Sequence, residues 1–388
     1  MSKSYEDVVI TTPISVPYVR YSDRPANYWL GRALGMLSEA SGLGAQDIDG
    51  LSVSSFTLAP DSAATLTQHF GMTPRWLSQE VTGGASGITA LRKAARAVQM
   101  GDADIVACIG GDTNPKHGFE TLLDDFSSDM SAAVLPYGAG GPNVSFALIT
   151  RAYMQRYGAK REDFGRLAVS QRQNALGYPQ ALMKKPLTLN EYLEVKPISS
   201  PLHLFDCVMP CAGAEGYLVM SASRARTLGL PYVHIRATCE RHNAYSRDDV
   251  QLRTGLAMDA QDLWTRAGVC SQDMDVVQSY DDYPVISFMQ LEDLGFCPKG
   301  TAKDFVQKHD FTVAGSFPHN TSGGQLSCGQ AGAAGGFLGL VELVRQLTGS
   351  ALGEQVQDAR LGLVSGFGII NYDKGLSCAA AILERGHD

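Results

Sequence analysis

Apolar positions along the chain alternate between two spacings. Short apolar runs of strand length recur at GLSVSS (50–55), ADIVACIGGD (103–112), VVQSY (276–280) and ARLGLVSGFG (359–368). Longer segments between them, such as NYWLGRALGMLSEA (27–40) and DAQDLWTRA (259–267), carry apolar residues at helical spacing. The segment Ser86–Met100 is rich in small residues, with Ala90, Ala94, Ala95, Ala97 and Val98. The stretch GQAGAAGGFLGLVELVRQL, from Gly329, has the same character. Helices with so many small residues suit burial between two sheets.

The elements echo one another. GLGAQDID (42–49) matches GVCSQDMD (268–275), each after a helix-like segment and before a strand-like run. Asp47 pairs in this comparison with Asp273, and Asp49 with Asp275. The runs 103–112 and 359–368 form a second echo in the same order, each ending in glycine-rich sequence after a helix of small residues. An ordered pair of echoes predicts a duplicated α/β unit. The halves are expected at 1–250 and 251–388, as two-layer units stacked into an α/β/α/β/α sandwich. An excursion at about 113–205 lengthens the first half. It holds LPYGAGGPN, an amphipathic helix around Phe146–Tyr157 and KKPLTLNEYL, and reads as a lid or loop where specificity resides.

Length supports two core units, since 388 residues exceed what one core usually holds. No apolar run is long enough to span a bilayer, and MSKSYEDVVI has no signal-peptide core. Net charge is −8 with no dense Lys/Arg stripe, which argues against nucleic acid as a partner. Eight scattered cysteines read as reduced thiols of a cytoplasmic protein. His203, Cys207 and Cys211 have the spacing of metal ligands. Pro201 and Pro210 flank them and no second half follows, so no metal is expected. Lys299, before Gly300, has the charge to meet a phosphate, but a lone Lys-Gly identifies nothing, and no dinucleotide fingerprint is present.

The turn VTGGASG (81–87) leads into the Ser86 helix, where helix N–H groups favour negative charge. Enzymes often place a nucleophile at such an elbow; here Ser86 is its only polar side chain after Thr82. Ser86 lacks the last glycine of a Gly-x-Ser-x-Gly elbow, so it is not read as a nucleophile.

With this architecture, five stretches in order resemble the thiolase superfamily, most closely the sterol-carrier-protein-type thiolases. They are VTGGASGITAL (81–91), PLHLFDCVMPCAGAEGYLV (201–219), SYDDYPVISFMQLEDLGFC (279–297), FPHNTSGGQLSCGQAGAAGG (317–336) and LVSGFGIINYDKG (363–375). The resemblance covers nearly the whole chain and implies the thiolase fold. Its catalytic motifs are altered. The nucleophilic cysteine position falls on Gly84. The His-Asp-Cys-Phe motif reads Tyr280-Asp281-Asp282-Tyr283, Gly-His-Pro reads Gly329-Gln330-Ala331, and Cys-x-Gly falls on Val364-Ser365-Gly366.

Without those thiols and that histidine, the resemblance implies no acyl-enzyme. It leaves an oxyanion hole from the N–H groups of Gly84 and Gly366, suited to a thioester enolate. Retro-aldol cleavage of a β-hydroxyacyl-CoA needs an enolate and no nucleophile. The superfamily includes cysteine-less aldolases that cleave steroid side chains, and Tyr280 matches a tyrosine of theirs. Their second tyrosine is Gln330 here, so Asp282 or His319 is expected to take its acid/base role. Two other readings stand: a condensing enzyme or acyltransferase with Cys328 or Cys207 as nucleophile, and a non-catalytic acyl-CoA-binding subunit. No cofactor is expected beyond the coenzyme A of the substrate. The resemblance also implies a homodimer, paired through the strand at 104–110 or its neighbour, and a small OB-fold, zinc-ribbon partner.

Overall fold

The computed structural model describes residues 4–116, 118, 127–138 and 141–386. Its strands are β1 (Val8–Val19), β2 (Gly50–Ser54), β3 (Trp76–Glu80), β4 (Ile105–Asp112), β5 (Pro197–Ser199), β6 (Leu202–His203), β7 (Ala212–Ser221), β8 (Tyr232–His242), β9 (Val276–Gln278), β10 (Leu361–Asn371) and β11 (Lys374–Arg385). Nine of them form one sheet in the order β3-β2-β4-β7-β1-β8-β11-β10-β9. The order β2-β4-β7-β1 recurs as β9-β10-β11-β8. In each copy the first pair is parallel and the others antiparallel. The copies join where β1 pairs with β8.

The acidic echo has a physical cause. Asp49 accepts from the backbone N–H groups of Asp104 and Ile105, where β4 begins. Asp275 does the same for Arg360 and Leu361, where β10 begins. Asp47 accepts from Gly44 N and Asp273 from Cys270 N, closing equivalent turns. Each carboxylate satisfies backbone donors that a strand or turn start leaves open. Since β8 takes the place of β1 in the second copy, we place the division ahead of Tyr232 instead of at 250/251. The copies differ most in one connection. β10 and β11 are joined by a tight hairpin, whereas residues 113–211 separate β4 from β7. Residues 117, 119–126 and 139–140 of that excursion lie outside the described ones.

The sheet wraps around two central helices, Ser86–Met100 and Gly335–Thr348, which touch each other and strands of both copies. Helix Ala26–Ser41 covers the far face of β1, β4 and β7, and helix Leu256–Ala267 covers β8 and β11. The result is the five-layer α/β/α/β/α sandwich of the thiolase fold. Strand β4 lies between β2 and β7 and is internal; the expected pairing named this strand or its neighbour. The free edge beside this copy's elbow is β3.

The central helices meet at glycines. A Cβ on Gly87 would overlap the carbonyl oxygen of Gly336 and stand 2.9 Å from Phe337 Cα; one on Gly336 would stand 2.7 Å from Gly83 O. Alanine in an unhindered helix gains about 1 kcal/mol over glycine. Here the obstacle is backbone and cannot rotate away, and such overpacking costs about 1–3 kcal/mol. Gly87→Ala is therefore expected to lower the thermal unfolding midpoint. An unchanged or raised midpoint would show that the helices separate at no cost.

Candidate active site

Each copy carries a glycine elbow before its central helix. The first is the 3-10 turn Gly83–Ala85 after β3; the second is Gly332–Ala334. Both open on a glycine in the left-handed region, with φ of 55° at Gly83 and 53° at Gly332, where a Cβ is disfavoured. In the second elbow the Ala333 N–H donates to Asp112 Oδ2 at 2.7 Å. Asp112 ends β4. The matching residue at the end of the equivalent run of β10 is Gly368, which has no side chain to offer. A Cβ there would overlap Gly84 N. No protein acceptor meets Gly84 N–H among the described residues. One copy thus fills its elbow donor with a carboxylate oxygen, and the other leaves it open.

The open elbow faces a pocket. Gly83, Gly84 and Phe56 line it from the first copy. Pro142, Asn143, Phe146, Cys207 and Val208 line it from the excursion. Tyr280, Asp282, Tyr283, Gln330, Gly332 and Phe367–Ile370 complete it from the second copy. Gly84 is glycine of necessity, because a Cβ would overlap the Tyr280 ring and the Phe367 carbonyl oxygen. Ile369 holds φ at 53°, an outlier for a β-branched residue, against the Gly83 backbone.

Tyr280 follows the end of β9. Its N–H donates to Ser365 O of β10 at 3.1 Å, and Gln290 Nε2 holds its carbonyl at 2.7 Å. Gln330 donates from Nε2 both to Tyr280 Oη (3.1 Å) and to Asp282 Oδ1 (2.6 Å). The Gln330 backbone is itself pinned, its N–H to Met209 O and its carbonyl to Cys211 N. Burial pushes the Asp282 carboxyl up to about 7, against the Tyr280 hydroxyl that donates to it; the nearby charge of Asp281 adds to the rise. Burial, then the Asp282 charge, raises the Tyr280 phenol well above its ordinary range. The pair divides labour: the phenol keeps a proton and the carboxyl is poised near neutrality.

The remaining sequence-selected residues fall elsewhere. Asp281 points away from the pocket and accepts from Gln325 N, Leu326 N and Gln171 Nε2. His319 is fully buried beside β9 among Phe311 and Phe317, with Nε2 2.8 Å from Ser279 Oγ. It does not line the pocket, which removes it from the expected acid/base set: a proton carrier must reach the substrate. Gly366 also lies behind the wall, against the Gly84–Ala85 backbone; two residues on, Gly368 lines the pocket in its stead. Gln330 and Asp282 do come together at Tyr280. Burial, its main cause, pushes the thiol of Cys207 up to about 12, and Cys328 is buried with its Sγ on Ser322 O, so neither is poised as a thiolate. His203 bonds Val195 O, and no group of three metal-ligating side chains gathers among the described residues. Lys299 pairs with Glu292 and Asp293. The wall residues Phe56, Asn143 and Tyr283 were not singled out from sequence. Phe56 is placed by Asp112 Oδ2, which also accepts from its N–H.

Comparison with known proteins fits this geometry. Residues 237–384 match the family model described as thiolase C-terminal domain-like. A steroid side-chain-cleaving aldolase of Thermomonospora curvata is 31% identical over 85% of this chain and 87% of its own. The 17-hydroxy-3-oxo-4-pregnene-20-carboxyl-CoA lyase of Mycobacterium tuberculosis is 32% identical over 80% of this chain and 84% of its own. The solved structure of an Ltp2-ChsH2(DUF35) aldolase superposes with a TM-score of 0.83 at 28% identity, covering 98% of both chains. No described helix is long and apolar enough to cross a membrane.

The burial of His319 has a measurable consequence. Desolvation holds its imidazole at about 3, below the ordinary 6.5. The folded state refuses a proton that the unfolded state accepts, so stability present above pH 6.5 is lost as pH falls toward 3. Between pH 6.5 and 5 the loss from this group is about 2 kcal/mol, at about 1.4 kcal/mol per unit. Denaturant unfolding of wild type and His319→Gln across that range should show the two stabilities converging by about that amount. Parallel pH profiles would mean that the imidazole takes up its proton in the fold.

Proposed function

The chain belongs to the thiolase superfamily, in the family of the steroid side-chain-cleaving aldolases, and from that premise we propose that it cleaves a β-hydroxyacyl-CoA by a retro-aldol reaction without an acyl-enzyme. The observation that carries this reading is the open Gly84 N–H beside the Tyr280–Asp282 pair in one pocket. The thioester oxygen accepts from Gly84 N–H. The β-hydroxyl gives its proton to Tyr280 Oη while the phenol proton passes to Asp282. The Cα–Cβ bond breaks, its electrons form the enolate, and Cβ=O leaves as an aldehyde or ketone. The proton then returns through Tyr280 to Cα, which restores the pair and releases an acyl-CoA. Gln330 positions both partners with one amide. An elbow N–H aimed at developing charge is worth about 3–4 kcal/mol in comparable sites.

A 17-hydroxyl beside a carboxyl-CoA on C20, the pattern in the name of the mycobacterial relative, is a β-hydroxyacyl-CoA. We therefore propose a CoA thioester of a bulky apolar skeleton as substrate, received by Phe56, Phe146, Tyr283 and Phe367. The reaction so written needs no cofactor beyond the coenzyme A of the substrate. We propose that a second copy of the chain pairs at the free edge β3, a reading supported by the exposure of Leu77 and, just beyond the strand, Val81. A small OB-fold, zinc-ribbon protein is the proposed partner; the paired name of the Ltp2-ChsH2(DUF35) structure supports the presence of a partner protein. The eight free cysteines accord with a cytoplasmic location.

The test is turnover of 17-hydroxy-3-oxo-4-pregnene-20-carboxyl-CoA and other β-hydroxyacyl-CoAs, with mass detection of the released carbonyl compound. Tyr280→Phe should lower kcat by about 10²–10⁴-fold. Cys207→Ala and Cys328→Ala should retain turnover, and no acyl-CoA should label the protein covalently. Wild-type kcat in Tyr280→Phe, or an acyl adduct on a cysteine, would defeat the mechanism.

The pH profile gives an independent check. Asp282 acts as the base only when ionised, and its carboxyl titrates at about 7. kcat/KM should therefore be flat above that pH and fall about tenfold per unit below it. A profile flat from pH 5 to 8 would exclude Asp282 from the proton path.

A further inference from the structure

Asn143 lines the pocket from the start of the helix Pro142–Tyr157. Its carboxamide oxygen accepts from the Tyr283 hydroxyl at 2.7 Å, which fixes the orientation of the amide. Tyr283 is buried and stacked on Phe146, with ring centroids 4.3 Å apart. Among the described residues no protein acceptor meets Asn143 Nδ2. The pocket thus holds a side-chain donor that is anchored at one end and unpaired at the other. The proton path does not use it, because Gln330 Nε2 already serves Tyr280 and Asp282.

We propose that Asn143 Nδ2 donates to the β-oxygen of the substrate, the oxygen that becomes the carbonyl of the leaving fragment. The inference rests on the retro-aldol reading and adds to it the group that recognises the departing half. Two oxygens of the substrate develop charge, and the pocket offers each of them a donor. The thioester oxygen lies at the elbow, on Gly84 N–H. The β-oxygen lies toward the base, and Asn143 is tethered to Tyr283, the next residue after Asp282. As the β-hydroxyl proton leaves for Tyr280, the oxygen gains negative charge before the Cα–Cβ bond breaks. A fixed donor stabilises that charge most at this moment, so the contact acts on kcat more than on KM. In the reverse, carbon–carbon bond-forming direction the same donor polarises the incoming carbonyl.

Two reactions separate the contact from the reading beneath it. Cleavage of 17-hydroxy-3-oxo-4-pregnene-20-carboxyl-CoA needs both oxygens. Exchange of the α-protons of propanoyl-CoA for deuterium needs the elbow and the Tyr280–Asp282 pair but has no β-oxygen. Asn143→Ala should lose about 10²–10³-fold in kcat for cleavage and keep exchange within about twofold of wild type. Asn143→Asp, nearly isosteric, should fall at least as far in cleavage, since a carboxylate repels the forming alkoxide. Tyr283→Phe, which frees the amide to turn, should lose less than Asn143→Ala and in the same reaction only. Full cleavage by Asn143→Ala beside an active wild type would overturn the inference and leave the retro-aldol reading standing. Equal loss of both reactions would also overturn it, because the residue would then serve the thioester end or the fold. A wild type that neither cleaves nor exchanges would overturn the retro-aldol reading itself.

Discussion

The site depends on backbone meeting backbone with no side chain between. Gly84 lies against the Tyr280 ring and the Phe367 carbonyl, Gly368 against Gly84 N, and Gly87 against Gly336. Each approach is closer than a Cβ allows. Together they bring an elbow from one copy of the repeat to the strand and motif of the other, so the open N–H and the proton-carrying pair face one pocket. The buried helices of small residues exist to make that approach, and the five-layer arrangement follows from burying them.

The repeat offers a comparison within a single molecule. Ala333 N–H, filled by Asp112, shows what such an elbow donor binds when an acceptor is supplied. Gly84 N–H, with Gly368 opposite, is the same device with the acceptor withheld. The carboxylate in the first position is structural: it also collects donors from Ser55, Phe56 and Thr57, and so holds a wall of the pocket. Burial drives that carboxyl upward, but five convergent donors favour its charged form.

Much of this was legible in the chain. The QD-x-D echoes were visible because the same backbone donors need the same carboxylates in both copies. Tyr280, Asp282 and Gln330 stood out because polar residues other than the family's occupied its motif positions, and the fold brings all three together. His319 misled because its type suggests proton transfer, while burial beside a strand depends on tertiary packing that no local pattern records. Gly366 and Gly368 share one face of β10, so spacing alone did not say which one reaches the pocket. Phe56 belongs to a loop and Asn143 to the first turn of a helix, and the position of each is set by a distant partner, Asp112 or Tyr283.

The two connections of the repeat differ in a way that bears on how such a protein changes over time. The proton-carrying residues stand in the second copy, whose matching strands are closed by a tight hairpin. Five residues of the pocket wall stand in the long excursion of the first. Substitutions at Pro142 or Val208 alter what the pocket admits without changing β9, β10 or the Tyr280–Asp282 motif. Selection for a new acyl skeleton can therefore work on excursion positions other than Asn143 while the Tyr280–Asp282 pair and the Gly84 elbow are inherited unchanged.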